Sequence, residues 1–283
     1  MKEARQVIEQ AANVVDQVKR SSSLNLISTN YRALCIVSEH QLRENIHRWL
    51  SPPDPSTNHN IACGTHNKKS ATWFFEGKIY QEWKSKGSLL WVHGKHAPSL
   101  NIPYNSLNDP LILQPARARV FFGSCVFGST HHRLPMSFVS STIIEDIKSL
   151  CEADQASMAY FYFDFRNANK QSLRDLLPSL LTQLSARSSD RCDILSKLYI
   201  DNDHGRNQRS DGVLTRCLKD ILMVHDQRPV YLIMDALDES PITSGIPSTR
   251  ETVLLLLKEL VDLGLPNLHI CATSRPNRHT ECY

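Results

Sequence analysis

Apolar residues recur at helical spacing in some stretches of the chain and form short continuous runs in others. Helical spacing predicts amphipathic helices, and a continuous apolar run predicts a strand that is covered on both faces. The helical stretches are 138–150, 171–186, 211–224 and 250–263, and the continuous runs are 88–94, 159–165, 230–234 and 268–272. Because the two patterns alternate, we predict an α/β fold in which helices cover both faces of a parallel sheet.

Two further helices are predicted ahead of this region. Apolar positions at helical spacing over 3–19 indicate either a helix that packs on the domain or one that binds a partner. A helix over 38–50 should end before Pro52, because proline cannot continue the hydrogen-bond ladder. Residues 51–87 follow as a connector that is polar at first and then carries large aromatic anchors such as Trp83.

The segment 96–136 interrupts the alternation. It carries several prolines and no sustained periodicity, which is unusual for about 40 residues inside a compact domain. The predicted organisation is therefore a helical extension at 1–50, the connector at 51–87, a core at 88–276 broken by this irregular insert, and a short tail at 277–283.

Composition and charge are those of an ordinary globular protein and exclude several classes of function. The formal net charge of the 283 residues is +3, and no long block of lysine and arginine indicates nucleic acid as a partner. No apolar run approaches the roughly 20 residues that span a bilayer, and residues 1–5 lack the apolar core of a signal peptide. We expect a cytoplasmic protein that does not contact a membrane.

Eight cysteines are scattered along the chain without a C-x-x-C pair. We read no zinc-ligand spacing between these cysteines and the histidines, so the sequence predicts no zinc site. Scattered cysteines in a long chain with many aliphatic residues indicate reduced thiols rather than a disulfide framework.

The clearest chemical signal is an acidic cluster at the end of a predicted buried strand. Asp235 follows the run 230–234, so a parallel sheet would place its carboxylate at the edge where ligands bind. There it can hold Mg²⁺, and Asp238 or Glu239 can orient or deprotonate a water molecule. An ordinary strand that ends in a solvated acidic turn would give the same pattern.

The next predicted strand ends in a second polar group. Thr273 and Ser274 are followed by Arg275, whose guanidinium can sense a phosphate through charge-assisted hydrogen bonds. A solvent-exposed arginine at a strand end is the alternative interpretation.

Several stretches together resemble the NACHT-type NTPases of fungal NLR-like proteins, a STAND group of P-loop NTPases with a nephrocystin-type N-terminal module. The matching stretches are 49–58, 72–75, 90–95, 140–146, 159–165, 232–239 and 273–276. The resemblance implies a three-layer P-loop NTPase fold, Mg²⁺ with ATP or GTP as cofactor, and a signalling switch that exchanges nucleotide and oligomerises. It also implies an effector segment before this region, repeats after it, and protein partners or self-association.

The chain departs from that family where the phosphate-binding loop should be. Residues 94–98 do not run into the pattern G-x-x-x-x-G-K-[ST], and the family pattern resumes at Ser137. By register, Ser137 stands at the hydroxyl position of the loop, and Met136 stands where the lysine belongs. The site residues that the resemblance implies are Gly94, Ser137 and Arg275 for the nucleotide, Asp235 for the metal, and Asp238 and Glu239 for catalysis.

Two explanations of the insert remain open. It is a real feature of a pseudo-NTPase, or it is unspliced or mispredicted sequence, which the abrupt stop and restart of the family pattern favours. A substitute loop at 123–130 has the glycine spacing but carries Ser129 in place of the lysine, and it follows 120–122, which could form a short strand. Chance recurrence of two glycines is the better account of this spacing.

The resemblance further implies one more strand, which would lie beside the first strand of the sheet. This chain lacks that additional strand if its core stops after the fourth strand. The edge of the first strand would then be exposed. The function expected is a signalling NTPase with a degenerate loop and little or no hydrolysis. The alternatives are a non-catalytic interaction module that pairs with full-length relatives, and a nucleotide-binding switch if the insert is an artefact.

Overall fold

The structure is a computed structural model that describes residues 13, 39–64, 72–93, 118–122, 136–207, 209–224, 226 and 228–275. It divides into two units, Met1–Trp49 and Leu50–Tyr283. The helix predicted over 38–50 is confirmed over 39–50 and is named α1. Outside the described residues lie the predicted helix over 3–19 apart from residue 13, Gly94, the substitute loop at 123–130 and the tail at 277–283.

Within the described part of the second unit, five parallel strands form one sheet. The strands are β1 (Ser88–His93), β2 (Ala118–Phe122), β3 (Ser157–Tyr162), β4 (Val230–Asp235) and β5 (Leu268–Ser274). Their order across the sheet is β2-β1-β5-β4-β3. Every residue of β4 and β5 is buried, as their continuous apolar runs predict.

Helices flank this sheet, so the predicted three-layer α/β fold with a parallel sheet is confirmed. The helices are α2 (Ser56–Gly64), α3 (Thr72–Glu76), α4 (Lys78–Lys86), α5 (Met136–Glu152), α6 (Leu173–Ser185), α7 (Ser189–Asp201), α8 (Asp211–Leu222) and α9 (Thr249–Asp262). α4 packs on β1 and β5, while α5 packs on β3, β4 and β5. The four helices predicted from apolar stripes are confirmed as α5, α6, α8 and α9.

Trp83 of α4 attaches the predicted connector to the sheet. Its side chain is fully buried, and its indole Nε1–H donates to the carbonyl oxygens of Ser88 at 3.1 Å and Ile270 at 3.0 Å. Tyr80 lies in the same apolar cluster, and its hydroxyl donates to Asp146 of α5 at 2.6 Å. The aromatic residues of the connector therefore belong to the core, because their rings fill the space between α4, α5 and the sheet.

The strand β2 confirms one expectation from the sequence and corrects another. It lies within 96–136 and pairs in parallel with β1, from Ala118 beside Leu89 to Phe122 beside His93. The short strand that the sequence allowed at 120–122 is thus confirmed. Because β1 lies between β2 and β5, the expectation that the edge of the first strand is exposed is wrong.

The helices α2, α3, α4 and α7 were not predicted, and in α2 and α7 polar residues do part of the packing. In α2, the buried side chains are His59 and Ala62, so the helix has no apolar stripe. In α7, the buried side chains include Arg191 beside Leu195 and Tyr199. A pattern of hydrophobic positions cannot reveal helices of this kind.

Candidate functional site

Strand β4 places Asp235 at the carboxyl edge of the sheet, as the sequence predicted. The side chains of β4 are buried along its whole length, and Asp235 itself is only 1% exposed. The carboxyl ends of parallel strands are where ligands bind in open α/β sheets. Asp235 is therefore the centre of the candidate site.

Hydroxyl groups from two neighbouring elements surround the Asp235 carboxylate. Ser140 Oγ of α5 donates to Oδ1 of Asp235 at 2.5 Å, and Thr273 Oγ1 of β5 donates to the same oxygen at 2.6 Å. The hydroxyl of Ser137, one turn earlier in α5, also hydrogen-bonds to Asp235. Burial raises the pKa of Asp235 above its ordinary value, and these three hydrogen bonds work in the opposite direction.

A tight turn after β4 brings two more carboxylates to this edge. Ala236 has a left-handed backbone with φ of 56°, and its N–H donates to Thr273 Oγ1 at 3.0 Å. The 3₁₀ turn Leu237–Glu239 follows directly. The chain thus reverses over one residue, which keeps Asp238 and Glu239 at the end of β4 instead of carrying them into solvent.

Arg275 pairs with both of these carboxylates. Its backbone N–H donates to Asp238 Oδ1 at 2.8 Å, and its Nε lies 2.9 Å from Asp238 Oδ2. Its Nη2 lies 3.3 Å from Glu239 Oε1. Arg275, predicted as a phosphate sensor, is therefore held in a network with the two residues predicted to be catalytic.

Glu239 is the second carboxylate of this network and is partly buried. Burial raises its pKa, while the N–H of Phe165, which donates at 3.2 Å, and the charge of Arg275 work in the opposite direction. A carboxyl group whose pKa moves towards neutrality transfers protons more readily at physiological pH. Glu239 and Asp238 both stay predicted catalytic residues, and Asp238 is the one that binds the Arg275 backbone N–H as well as its guanidinium.

The oxygen atoms around Asp235 fit a magnesium ion. A carboxylate and a nearby hydroxyl, here Asp235 and Ser137, are the hard oxygen ligands that Mg²⁺ prefers. Within the described residues, these two side chains would hold the ion. A bound ion would supply charge neutralisation for a phosphate at this edge.

Of the three residues predicted to bind nucleotide, the structure describes Ser137 and Arg275. Helix α5 begins at Met136, so a residue without charge stands at the first turn, where a phosphate loop would supply its lysine. The guanidinium of Arg275, at the end of β5, is already paired with two carboxylates. Gly94, the third predicted nucleotide-binding residue, lies outside the described residues.

Ser140 and Thr273 were not predicted as site residues, although both contact Asp235 directly. Ser140 lies three residues after Ser137, so both hydroxyls lie on one face of α5. Thr273 lies within β5, next to the strand that carries Asp235. Small polar residues in otherwise apolar elements were the signal that could have identified them.

A second cluster contradicts the expectation that no cysteine lies at metal-ligand spacing from a histidine. His59 and Cys63 stand one turn apart in α2, and they meet Glu145 of α5. One ligand atom from each residue lies within 4.8 Å of the others. The described cysteines, Cys63, Cys151, Cys192, Cys217 and Cys271, are free thiols, as predicted.

Comparison with known proteins supports the resemblance in part. Residues 136–275, just under half of the chain, match the family model described as Nephrocystin 3, N-terminal. The match begins at α5, where the family pattern was seen to resume, and ends at Arg275. A comparison with curated proteins finds no match. No helix within the described ranges has the length and apolar character needed to cross a bilayer.

Proposed function

We propose that this chain is a NACHT-associated module of the P-loop NTPase type. It keeps the metal side of its site, which is the pair of oxygen ligands on Asp235 and Ser137. It lacks the phosphate side, which is a loop whose amides and lysine hold a triphosphate. The family matched over 136–275 is found in NACHT-containing proteins, and the three-layer sheet is consistent with a P-loop NTPase fold. The observation that carries the proposal is the convergence of the Ser137 and Ser140 hydroxyls on Asp235.

The metal side follows from the chemistry of these groups. Asp235 and Ser137 offer Mg²⁺ two oxygen ligands at the carboxyl edge of β4, and Ser140 and Thr273 fix the orientation of the carboxylate. Glu239 lies at the same edge and can accept a proton from water. These residues support the proposal that the site suits a phosphate ester bound to a metal ion.

The weakness of the phosphate side follows from Met136 and Arg275. Triphosphates are held by a cradle of backbone amides together with a lysine ammonium, and a methionine contributes no charge. Arg275 could contact a phosphate only after it leaves Asp238 and Glu239, which would lower the net gain. We therefore expect weak nucleotide binding and little or no hydrolysis, so that signalling would depend on protein partners or self-association.

Nucleotide affinity tests this proposal directly. The full chain should bind ATP and GTP in the presence of Mg²⁺ with a Kd weaker than about 100 µM in titration calorimetry. Steady-state phosphate release should stay at background. A low-micromolar Kd for either nucleotide would refute the loss of the phosphate side.

A gain-of-function variant makes the test sharper. Met136→Lys returns an ammonium to the first turn of α5 and should tighten binding roughly 10-fold, because charge-assisted hydrogen bonds are the strong ones. Met136→Gln, similar in length and uncharged, is the matched control and should leave the affinity unchanged. Equal affinities for the two variants would show that the nucleotide does not approach this turn.

The interaction module remains the second function, and it makes a different prediction. Size-exclusion chromatography with light scattering separates the interaction module from a nucleotide-dependent switch, because a switch assembles only with Mg-nucleotide and an interaction module assembles without it. A monomer under both conditions would exclude self-association at the concentration measured.

A further inference from the structure

Helices α2 and α5 bring a histidine, a cysteine and a glutamate together at their contact. His59 Nε2 lies 3.1 Å from Glu145 Oε1, and Cys63 Sγ lies 3.5 Å from His59 Nε2. His59 is 6% exposed, whereas Cys63 and Glu145 are partly exposed. The cluster is separate from the hydroxyl groups around Asp235, so its role does not depend on the proposed function.

The local sequence explains the arrangement. Side chains four residues apart lie one above the other on a helix, so the pattern His-x-x-x-Cys in α2 presents both ligand atoms to one side. That side faces α5, because α2 packs on α5 and His59 contacts it. Glu145 is the residue of α5 that meets the pair.

The distances suit a tetrahedral metal ion. Zinc bonds of 2.0–2.3 Å place neighbouring ligand atoms roughly 3.3–3.8 Å apart. Two of the three separations within the cluster, 3.1 Å and 3.5 Å, differ from that range by a few tenths of an ångström at most. The third, between Cys63 Sγ and the Glu145 carboxylate, is no longer than 4.8 Å, so a metal ion would draw these two side chains together.

Tyr162 provides the outer support that a histidine ligand requires. Its hydroxyl lies 3.1 Å from His59 Nδ1, the nitrogen that points away from Cys63 and Glu145. When Nδ1–H donates to the Tyr162 oxygen, the lone pair of Nε2 is free for a metal ion. Tyr162 is itself 2% exposed, so the imidazole ring is held in one orientation.

Lys148 is the group that competes with a metal ion. Its Nζ lies 3.6 Å from the same Oε1 of Glu145, but its side chain is 54% exposed and can move into solvent. A cavity of about 290 Å³ reaches His59 and is lined also by Lys148, Tyr160, Cys151 and Gln183. A water molecule in this space could complete the coordination.

We propose that His59, Cys63 and Glu145 bind one Zn²⁺ ion, with water in the fourth position. A nitrogen, a sulfur and an oxygen ligand select zinc over magnesium, which prefers oxygen alone. Three protein ligands and one open position characterise sites where zinc remains accessible to a further ligand. The ion would also join α2 to α5, so binding would stabilise the fold.

Metal titration of the reduced, untagged full chain tests this site. After chelation and removal of the chelator, Zn²⁺ should bind in competition with a chromophoric chelator, and Co²⁺ should give thiolate-to-metal charge-transfer absorption. Cys63→Ser should lower zinc affinity at least 10-fold and remove that absorption. Cys192→Ser, a free cysteine of α7, is the matched control and should keep both.

A second variant distinguishes a loss of zinc binding from a loss of folding. Glu145→Gln keeps the size of the side chain and should also weaken zinc binding, while its thermal unfolding without metal stays close to that of the parent. Zinc affinity and cobalt absorption that are the same in the parent, Cys63→Ser and Glu145→Gln would assign binding to other residues and overturn the proposal. Absence of zinc binding to the parent would overturn it equally.

Discussion

Arg275 and Asp238 join the ends of β5 and β4 through two different contacts. The guanidinium Nε of Arg275 lies 2.9 Å from Asp238 Oδ2, and the backbone N–H of Arg275 donates to Asp238 Oδ1 at 2.8 Å. Asp238 therefore supports the backbone as well as the charge. The side chain of Asp238 is 11% exposed, whereas that of Arg275 is 54% exposed.

This difference in exposure predicts that replacing Asp238 lowers the free energy of unfolding more than replacing Arg275. Arg275→Ala should lower the free energy of unfolding by less than about 1 kcal/mol, because a half-exposed ion pair contributes little. Asp238→Ala should cost about 2 kcal/mol, since it also leaves a backbone N–H without its acceptor. Urea denaturation of both variants and of the double variant measures this, and equal single-variant costs would contradict the backbone role.

The buried carboxylate at the end of β4 predicts an unusual pH dependence. Burial raises the pKa of Asp235, so the folded state binds a proton more tightly than the unfolded state. By linkage, Asp235 contributes most to stability at low pH, and this contribution is lost as pH rises from 3.8 through the folded pKa. The carboxylate is thus destabilising at neutral pH.

Asp235→Asn should therefore stabilise the protein at pH 7.5 by about 1 kcal/mol, because the amide carries no charge and still accepts hydrogen bonds from the hydroxyls. The gain should shrink as the pH is lowered from 7.5 towards the ordinary pKa of 3.8, because the parent then takes up a proton that relieves the cost. Thermal unfolding over this pH range measures it. Asp262→Asn, an exposed site on α9, is the control, and a gain independent of pH would contradict burial of the charge as the cause.

The left-handed backbone at position 236 predicts that glycine is tolerated there better than a β-branched residue. Ala236 has φ of 56°, where a Cβ atom is strained. Ala236→Gly relieves that strain but adds freedom to the unfolded chain, so stability should change by less than about 1 kcal/mol. Ala236→Val should cost at least about 1–2 kcal/mol, since a β-branched residue is disfavoured there. Denaturant unfolding that ranks valine equal to glycine would be inconsistent with this backbone.

The buried indole of Trp83 should contribute strongly to the stability of the fold. Trp83→Phe removes two hydrogen bonds to the carbonyls of Ser88 and Ile270, and leaves a gap where the larger ring stood. The cost should be about 2–3 kcal/mol. Ile79→Ala, an exposed site in the same helix, should change stability by about 0.5 kcal/mol or less. Equal losses of melting temperature would argue against a specific role of Trp83.

The sequence predicted those parts of the fold whose apolar pattern is dense. β4 is apolar and buried from Val230 to Met234, and α8 buries Leu214, Leu218 and Ile221 along one face, so both elements follow directly from hydrophobic spacing. α2 could not be predicted in this way, because His59 packs in it through polar contacts with Tyr162 and Glu145.

The candidate site shows a similar division. The rule for parallel strands was enough to place Asp235 at the ligand-binding edge. The partners of Asp235 depend on which way a helix faces, so Ser140 could be identified only once α5 had been placed. The pairing of Arg275 with Asp238 depends on the turn at Ala236, which requires a backbone conformation that the residue type alone does not indicate.

The position of β2 has a consequence for the protein encoded by a transcript without the insert. Such a product would join β1 more directly to α5 and would lack the strand that hydrogen-bonds to β1 from Leu89 to His93. The backbone N–H and C=O groups on that side of β1 would then lack partners. Another chain could pair with them, as happens at an exposed edge strand. A shortened isoform that regained a phosphate loop would therefore need a different segment, from its own chain or a neighbouring molecule, in the place that β2 occupies.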